Sequence, residues 1–232
     1  MEYNAVFWDV GGVILNIDSI ARGQQSFVGT AVETYDLDVP VTEALDIWRE
    51  AMSDHFAGRK GTEYRTARVA RRKAANALFD GEPPADWRDL YERVRREHTT
   101  TNPGARETMR TLSEAGVYQA ILSDADDGGL RSMLERFKLD EYIADLTTSE
   151  EVGYVKPDRR IFDTALEKAR RTGIQPSRGI MIGDKYENDM EGGTAAGLTT
   201  VSFGAGEGPA VDYSIDELVE LLDVVGVGRE TN

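Results

Sequence analysis

The chain has 232 residues, 40% of them apolar, and carries a formal net charge of −15. That length suits one large domain, or one domain carrying a smaller insert, with a sizeable core. The charge argues against nucleic-acid and anionic-membrane partners, no apolar run approaches the ~20 residues of a membrane span, and the lack of cysteine excludes disulfides and thiolate chemistry.

The first element is the short apolar run Ala5-Val6-Phe7-Trp8, closed by Asp9-Val10-Gly11-Gly12. It reads as a buried strand feeding a tight loop. From about Ile20 to Glu97 long stretches lack Gly and Pro and show helical spacing, as in Ala44, Leu45, Trp48, Met52 and Phe56. This region predicts three to five helices and no strand.

After Thr99–Gly104 the pattern alternates. Helices are expected over 105–115, 130–137, 159–171, 190–196 and 215–224. Gly116 and Gly173 stop the first and third of them. Strands are expected over 117–122, 146–149, 180–182 and 199–203. Such alternation predicts a parallel sheet covered on both faces, with ligands outside the carboxyl ends of its strands. Asp9, Ser123 and Asp184 each follow or end an apolar strand and so converge on that edge.

Four segments in order carry a resemblance. They are Phe7-Trp8-Asp9-Val10-Gly11-Gly12-Val13, Leu122-Ser123-Asp124, Val155-Lys156-Pro157-Asp158, and Ile182-Gly183-Asp184-Lys185-Tyr186-Glu187-Asn188-Asp189. Together they resemble the four motifs of the haloacid dehalogenase-like (HAD) hydrolase superfamily, over the whole chain. The resemblance implies an α/β fold: a Rossmann-like, doubly wound parallel-sheet core (1–17 and 97–232) and a smaller all-helical cap domain (18–96).

It also implies a chemistry: hydrolysis of small phosphomonoesters with Mg2+. Asp9 would attack phosphorus and form an aspartyl-phosphate, splitting one hard displacement into two easier ones. The bland alternative is a carboxylate capping a loop. Magnesium takes oxygen ligands in octahedral array, and the resemblance assigns them to Asp9, Asp184, the backbone carbonyl of Gly11 and Asp189. Asp189 lies near an expected helix start, where it binds the ion directly or through water, or caps the helix. Ser123, Lys156 and the backbone at Gly11 and Gly12 would hold the phosphoryl oxygens, with the ammonium balancing their charge. Asp124 stands where the family often has Asn. It is not expected to bind phosphate.

Gly11 is the main departure. Family phosphatases usually carry a second aspartate there, which protonates the leaving oxygen and later activates water, worth ~10²–10⁴-fold. Three readings follow: good leaving groups, a substitute proton source such as Asp18, a cap residue or a metal-held water, or slow or absent turnover. The family's metal-free dehalogenases also lack this aspartate, and a non-catalytic ligand-binding or regulatory protein is the third alternative. Gly183-Asp184 with Asp189 favours a metal site and phosphate.

A helical cap would close over the site and exclude water. Arg59 or Lys60, in the loop 56–62, would reach a second anionic group of the substrate; the alternative is a solvated basic turn before a helix capped by Thr62. The two histidines, His55 and His98, show no metal spacing and read as structural or exposed. The basic stretch 64–73 reads as a solvated face. No signal pattern precedes the first strand, so the cytoplasm is the expected compartment. The expected partner is a small phosphorylated metabolite, with no nucleic acid and no membrane, for a monomer or homodimer. With 21 Arg, 6 Lys and a large acidic excess, the composition suits a salt-rich cytoplasm, where a Debye length of ~3 Å at molar salt screens self-repulsion.

Overall fold

In the computed structural model, which describes residues 2–175 and 178–228, the first apolar run forms β1 (Ala5–Trp8), buried at all four positions. It lies at the centre of a six-stranded sheet with β2 (Tyr118–Ser123), β3 (Asp145–Thr148), β4 (Gly179–Gly183), β5 (Thr199–Ser202) and β6 (Tyr213–Ser214), in the order β3-β2-β1-β4-β5-β6. Every pairing is parallel. A parallel sheet covered on both faces explains why β1 is apolar throughout rather than alternating. Register matters for function: Trp8 pairs with Ile121 on one side and Ile182 on the other. One residue further on, Asp9 therefore sits between the ends of β2 and β4, and its N–H donates to Ile182 O at 3.0 Å.

The chain divides into two compact units, Leu15–Thr100, and Met1–Ile14 with Thr101–Asn232. The first unit contains α1 (Ile17–Thr34), α2 (Val41–Ala57), α3 (Ala67–Leu78) and α4 (Trp87–His98). It begins a few residues before, and ends a few after, the span 18–96. Asn16 caps α1 by accepting the Ser19 N–H at 2.9 Å. Its core is aromatic: the Phe27 ring meets Trp48 and Tyr91, each at 5.0 Å between centroids. Truncating the fully buried Phe27 to Ala would cost about 3–5 kcal/mol. The cap of α3 is Thr66, which accepts the Val69 N–H, and not Thr62, because the chain from Gly58 to Thr66 stays irregular. His55 is buried in this unit and His98 half-buried.

The second unit packs α5 (Ala105–Glu114), α6 (Asp127–Phe137), α7 (Ser149–Val152), α8 (Arg159–Arg171), α9 (Gly192–Ala196) and α10 (Leu221–Val225) around the sheet. The apolar face of α8 (Ile161, Phe162, Ala165, Leu166, Ala169) shares a core with Ala5, Phe7, Leu122 and Met181. Three elements differ from expectation. Helix α6 starts at Asp127, ahead of the glycine pair, because Glu150 Oε2 accepts the Asp127 N–H at 2.8 Å and satisfies one free donor of the first turn. The segment Tyr186–Glu191, expected to lead into a helix from Met190, is instead one wide π-helical turn before the short α9. The closing helix starts later than Ile215, since β6 intervenes and a reciprocal Glu217–Glu220 capping box fixes the start of a short 3₁₀ turn before α10.

Candidate active site

The ends of β1, β2 and β4 carry Asp9, Ser123 and Asp184, and the structure adds Lys156 from the loop before α8 and Asp189 from the wide turn after β4. Asp9, Asp184 and Asp189 each place a carboxylate oxygen within 4.8 Å of the others. Lys156, only 2% exposed, lies among them. Its Nζ donates to Asp9 Oδ1 at 2.8 Å and Leu122 O at 3.1 Å, and pairs with Asp189 Oδ1 at 2.5 Å. The ammonium thus makes two hydrogen bonds and a further ion pair. Burial alone would push its pKa down, but the negative charges of Asp189, Asp9 and Asp124 outweigh that and raise it.

The carboxylates shift the other way. Asp184 is pushed up to about 6, first by burial and then by the charge of Asp9. Asp189 is raised by burial, against the opposing pull of Lys156. Asp184 Oδ1 is buried without a hydrogen-bond partner among the described residues. A buried ionised oxygen with nothing to bind is costly. A hard cation among three carboxylates would relieve it, so this donor set fits a magnesium ion.

Two glycines make the cluster possible. Gly12 has φ +92°, and a Cβ there would stand 2.1 Å from Asp184 Oδ2. A Cβ at Gly183 would stand 2.2 Å from Asp189 Cβ. Gly11 is different: a Cβ there meets nothing within 4 Å.

Asp189 is not a helix cap. It is fully buried inside the wide turn, with Oδ2 accepting the Lys185 N–H at 3.0 Å. Ser123 is buried at the end of β2. Arg59 belongs to the helical unit; it follows α2, is half-buried, and its Nε has no hydrogen-bond partner among the described residues. Lys60 is exposed.

The motif reading gave Asp124 no role and did not include Asn102. Asp124 binds the backbone N–H of Lys156, the hydroxyl of Ser149 and the side-chain amide of Asn188. Asn102 clamps the Asp9 loop, with Nδ2 donating to Gly12 O and Val13 O at 2.8 Å each.

The parallel sheet, with charged side chains gathered at its carboxyl edge, defines an α/β protein with a candidate active site at that edge. A family profile described as Haloacid dehalogenase-like hydrolase matches residues 41–203. The chain therefore belongs to the haloacid dehalogenase-like hydrolases and is an enzyme of that class. The matched span holds Ser123, Lys156, Asp184 and Asp189, while Asp9 lies ahead of it. The chain is 34% identical over 170 residues to the ribulose-1,5-bisphosphate 5-phosphatase of Halopiger xanaduensis, covering 66% of this chain and 70% of that one. It is 27% identical over 201 residues to the glyceraldehyde 3-phosphate phosphatase of Methanothermobacter thermautotrophicus, covering 85% and 84%. Among solved structures, the magnesium-bound HAD-hydrolase YfnB of Bacillus subtilis matches with a TM-score of 0.73 over 97% of this chain and 99% of that one, at 20% identity, a likeness of fold.

Proposed function

We propose that the chain is a magnesium-dependent phosphatase of small phosphomonoesters, acting through an aspartyl-phosphate on Asp9. The observation that carries this is the cluster of Asp9, Asp184 and Asp189 around Lys156, with one Asp184 oxygen unpartnered among the described residues. Asp9, Asp184, Asp189 and the Gly11 carbonyl would hold the cation. When bound, magnesium neutralises phosphoryl charge that would otherwise repel an attacking carboxylate.

The remaining work falls to this chain's residues. Lys156 holds one Asp9 oxygen and fixes the carboxylate for in-line attack. Asp9 attacks phosphorus as the bond to the leaving oxygen breaks. Ser123 and the backbone N–H groups at Gly11 and Gly12 receive the equatorial oxygens, and the Lys156 ammonium balances their charge. Water then attacks phosphorus, returning free Asp9 and inorganic phosphate. Gly11 offers no proton to the leaving oxygen, so the enzyme favours esters whose leaving groups need little protonation. Arg59 is proposed for a second anionic group of the substrate. Replacing it with Ala would raise KM for bisphosphates more than for monophosphates.

The named phosphatases among the relatives support this reading over a dehalogenase. The test is a screen of phosphorylated metabolites for phosphate release. Turnover that depends on magnesium, is lost with EDTA and is abolished by Asp9→Asn is the expected result. Halide release from haloacids without metal, with no phosphate release, would overturn it. The acidic surface is proposed to suit a salt-rich cytoplasm; equal melting temperatures in dilute buffer and in molar KCl would contradict this.

A further inference from the structure

We infer that Asp124 is the positioning residue of this site, tying the Lys156 loop and the Asn188–Asp189 turn to the end of β2. The kinetic part of this inference rests on the phosphatase reading; the structural part does not.

Asp124 follows Ser123 directly, where an added negative charge beside a phosphate site has no obvious use. Its carboxylate has another task. Oδ1 accepts the backbone N–H of Lys156 at 2.9 Å and the Ser149 hydroxyl at 2.8 Å. Oδ2 accepts from Asn188 Nδ2 at 3.1 Å. These donors come from three segments: the one following β3, the loop before α8, and the wide turn after β4. One side chain at the end of β2 therefore fastens three other segments of the sheet's functional edge.

Two of those bonds act one step from the chemistry. The Lys156 backbone is held by Asp124, and its ammonium carries Asp9 and Asp189. Asn188 is held by Asp124, and its neighbour Asp189 is the far partner of that ammonium. Loosening Asp124 would let both ends of the Lys156–Asp189 pair drift together. A shift of about 1 Å at such a site costs about 10²-fold in rate.

The residue type follows from donor counting. A carboxylate is an acceptor at both oxygens. An Asn at 124 keeps one acceptor for Lys156 and Ser149 but turns an amide towards the Asn188 amide. Rotating the Asn188 amide by half a turn restores a donor–acceptor match. An Ala at 124 leaves all three donors without a partner.

The experiment compares Asp124→Ala, Asp124→Asn, Asn188→Ala and the double variant Asp124→Ala/Asn188→Ala. Two readouts are taken: hydrogen exchange at the Lys156 amide, and kcat and KM for p-nitrophenyl phosphate with magnesium. Asp124→Ala is expected to lose protection at the Lys156 amide and about 10²-fold in kcat, with KM much less affected. Asp124→Asn recovers the protection and most of the rate. Asn188→Ala keeps the protection and is slower, which serves as the test should Asp124→Ala fail to fold. The double variant is no slower than Asp124→Ala alone, since both lie on one path. Full protection of Lys156 in folded Asp124→Ala, kcat within about threefold of wild type for both Asp124→Ala and Asn188→Ala, or additive losses in the double variant would overturn the inference. If the wild-type chain releases no phosphate from any ester, the phosphatase reading fails on its own, and the exchange measurement alone decides the role of Asp124.

Discussion

Replacing Gly11 with Asp should turn this enzyme into a faster hydrolase of esters with poor leaving groups. The backbone there can take a side chain: Gly11 is not among the glycines with positive φ, and a Cβ meets nothing within 4 Å. The backbone and the space around it therefore accept a side chain at this position. The new carboxyl would stand two residues after Asp9, in a loop whose next residue abuts Asp184. Neighbouring negative charges raise a carboxyl pKa, which is the direction a general acid needs near neutral pH. Proton delivery to a leaving alkoxide contributes ~10²–10⁴-fold, and nearly nothing to a phenolate that leaves unaided. The assay is kcat/KM for glycerol phosphate and for p-nitrophenyl phosphate, with magnesium, in wild type and Gly11→Asp. Their ratio should shift towards the alkyl ester by about 10²-fold or more. An unchanged ratio in a folded variant would refute the idea that proton delivery is what the site lacks.

Three further outcomes follow from the same cluster. Lys156→Met leaves Asp9 and Asp189 as buried, uncompensated like charges, so stability should fall by about 3–5 kcal/mol. Thermal melting should report it, and magnesium should restore more stability to this variant than to wild type. Gly12→Ala places a Cβ against Asp184 Oδ2 at φ +92°, so magnesium affinity measured by calorimetry should drop by about tenfold or more. Asp184, raised to about 6, sets a pH dependence of metal binding. Protons compete with the cation below that value, so affinity should weaken by up to about tenfold per pH unit below about 6. For the metal-free fold the sign reverses. A raised carboxyl pKa means the folded state binds the proton more tightly than the unfolded one, so this group adds stability as pH falls from about 6 towards about 4. Calorimetric titration and melting at about pH 5 and about pH 7.5 separate the two effects.

How much of this was legible in the sequence depends on whether a residue's place is set by a strand or by a loop. Asp9, Ser123 and Asp184 are polar residues at the ends of apolar runs, and a parallel sheet brings such ends to one edge whatever the loops do. Lys156 and Asp189 reach the cluster from a loop and a wide turn, so only resemblance pointed to them. The helical reading of 190–196 assumed a regular turn, whereas the chain widens over Tyr186–Glu191 and Asp189 turns into the interior. The two-residue β6 was too short to show a period. Gly12 reads as a turn residue from sequence, but its contact with Asp184 depends on how two loops meet. The three donors to Asp124 lie 25, 32 and 64 residues away, and no spacing rule links them.

Charge bears on the proposed choice between the chemistries open to this fold. Three carboxylates face one ammonium, an excess of two negative charges when all are ionised. An uncharged carbon–halogen bond attacked by Asp9 gains nothing from the further carboxylates of Asp184 and Asp189. A phosphate dianion placed against the bare cluster would be repelled outright, since like charges ~4 Å apart repel by about 4 kcal/mol even at an effective dielectric of ~20. Adding a divalent cation balances the two excess charges and lets the Lys156 ammonium face the phosphoryl group. The two carboxylates for which a dehalogenase has no use are those the proposed cation-dependent phosphatase requires. Burial raises the pKa of both Asp184 and Asp189, and the charge of Asp9 adds to it against the opposing pull of Lys156. Asp184→Asn and Asp189→Asn should therefore weaken magnesium binding while stabilising the metal-free fold, a pairing of effects that a metal-independent site would not show.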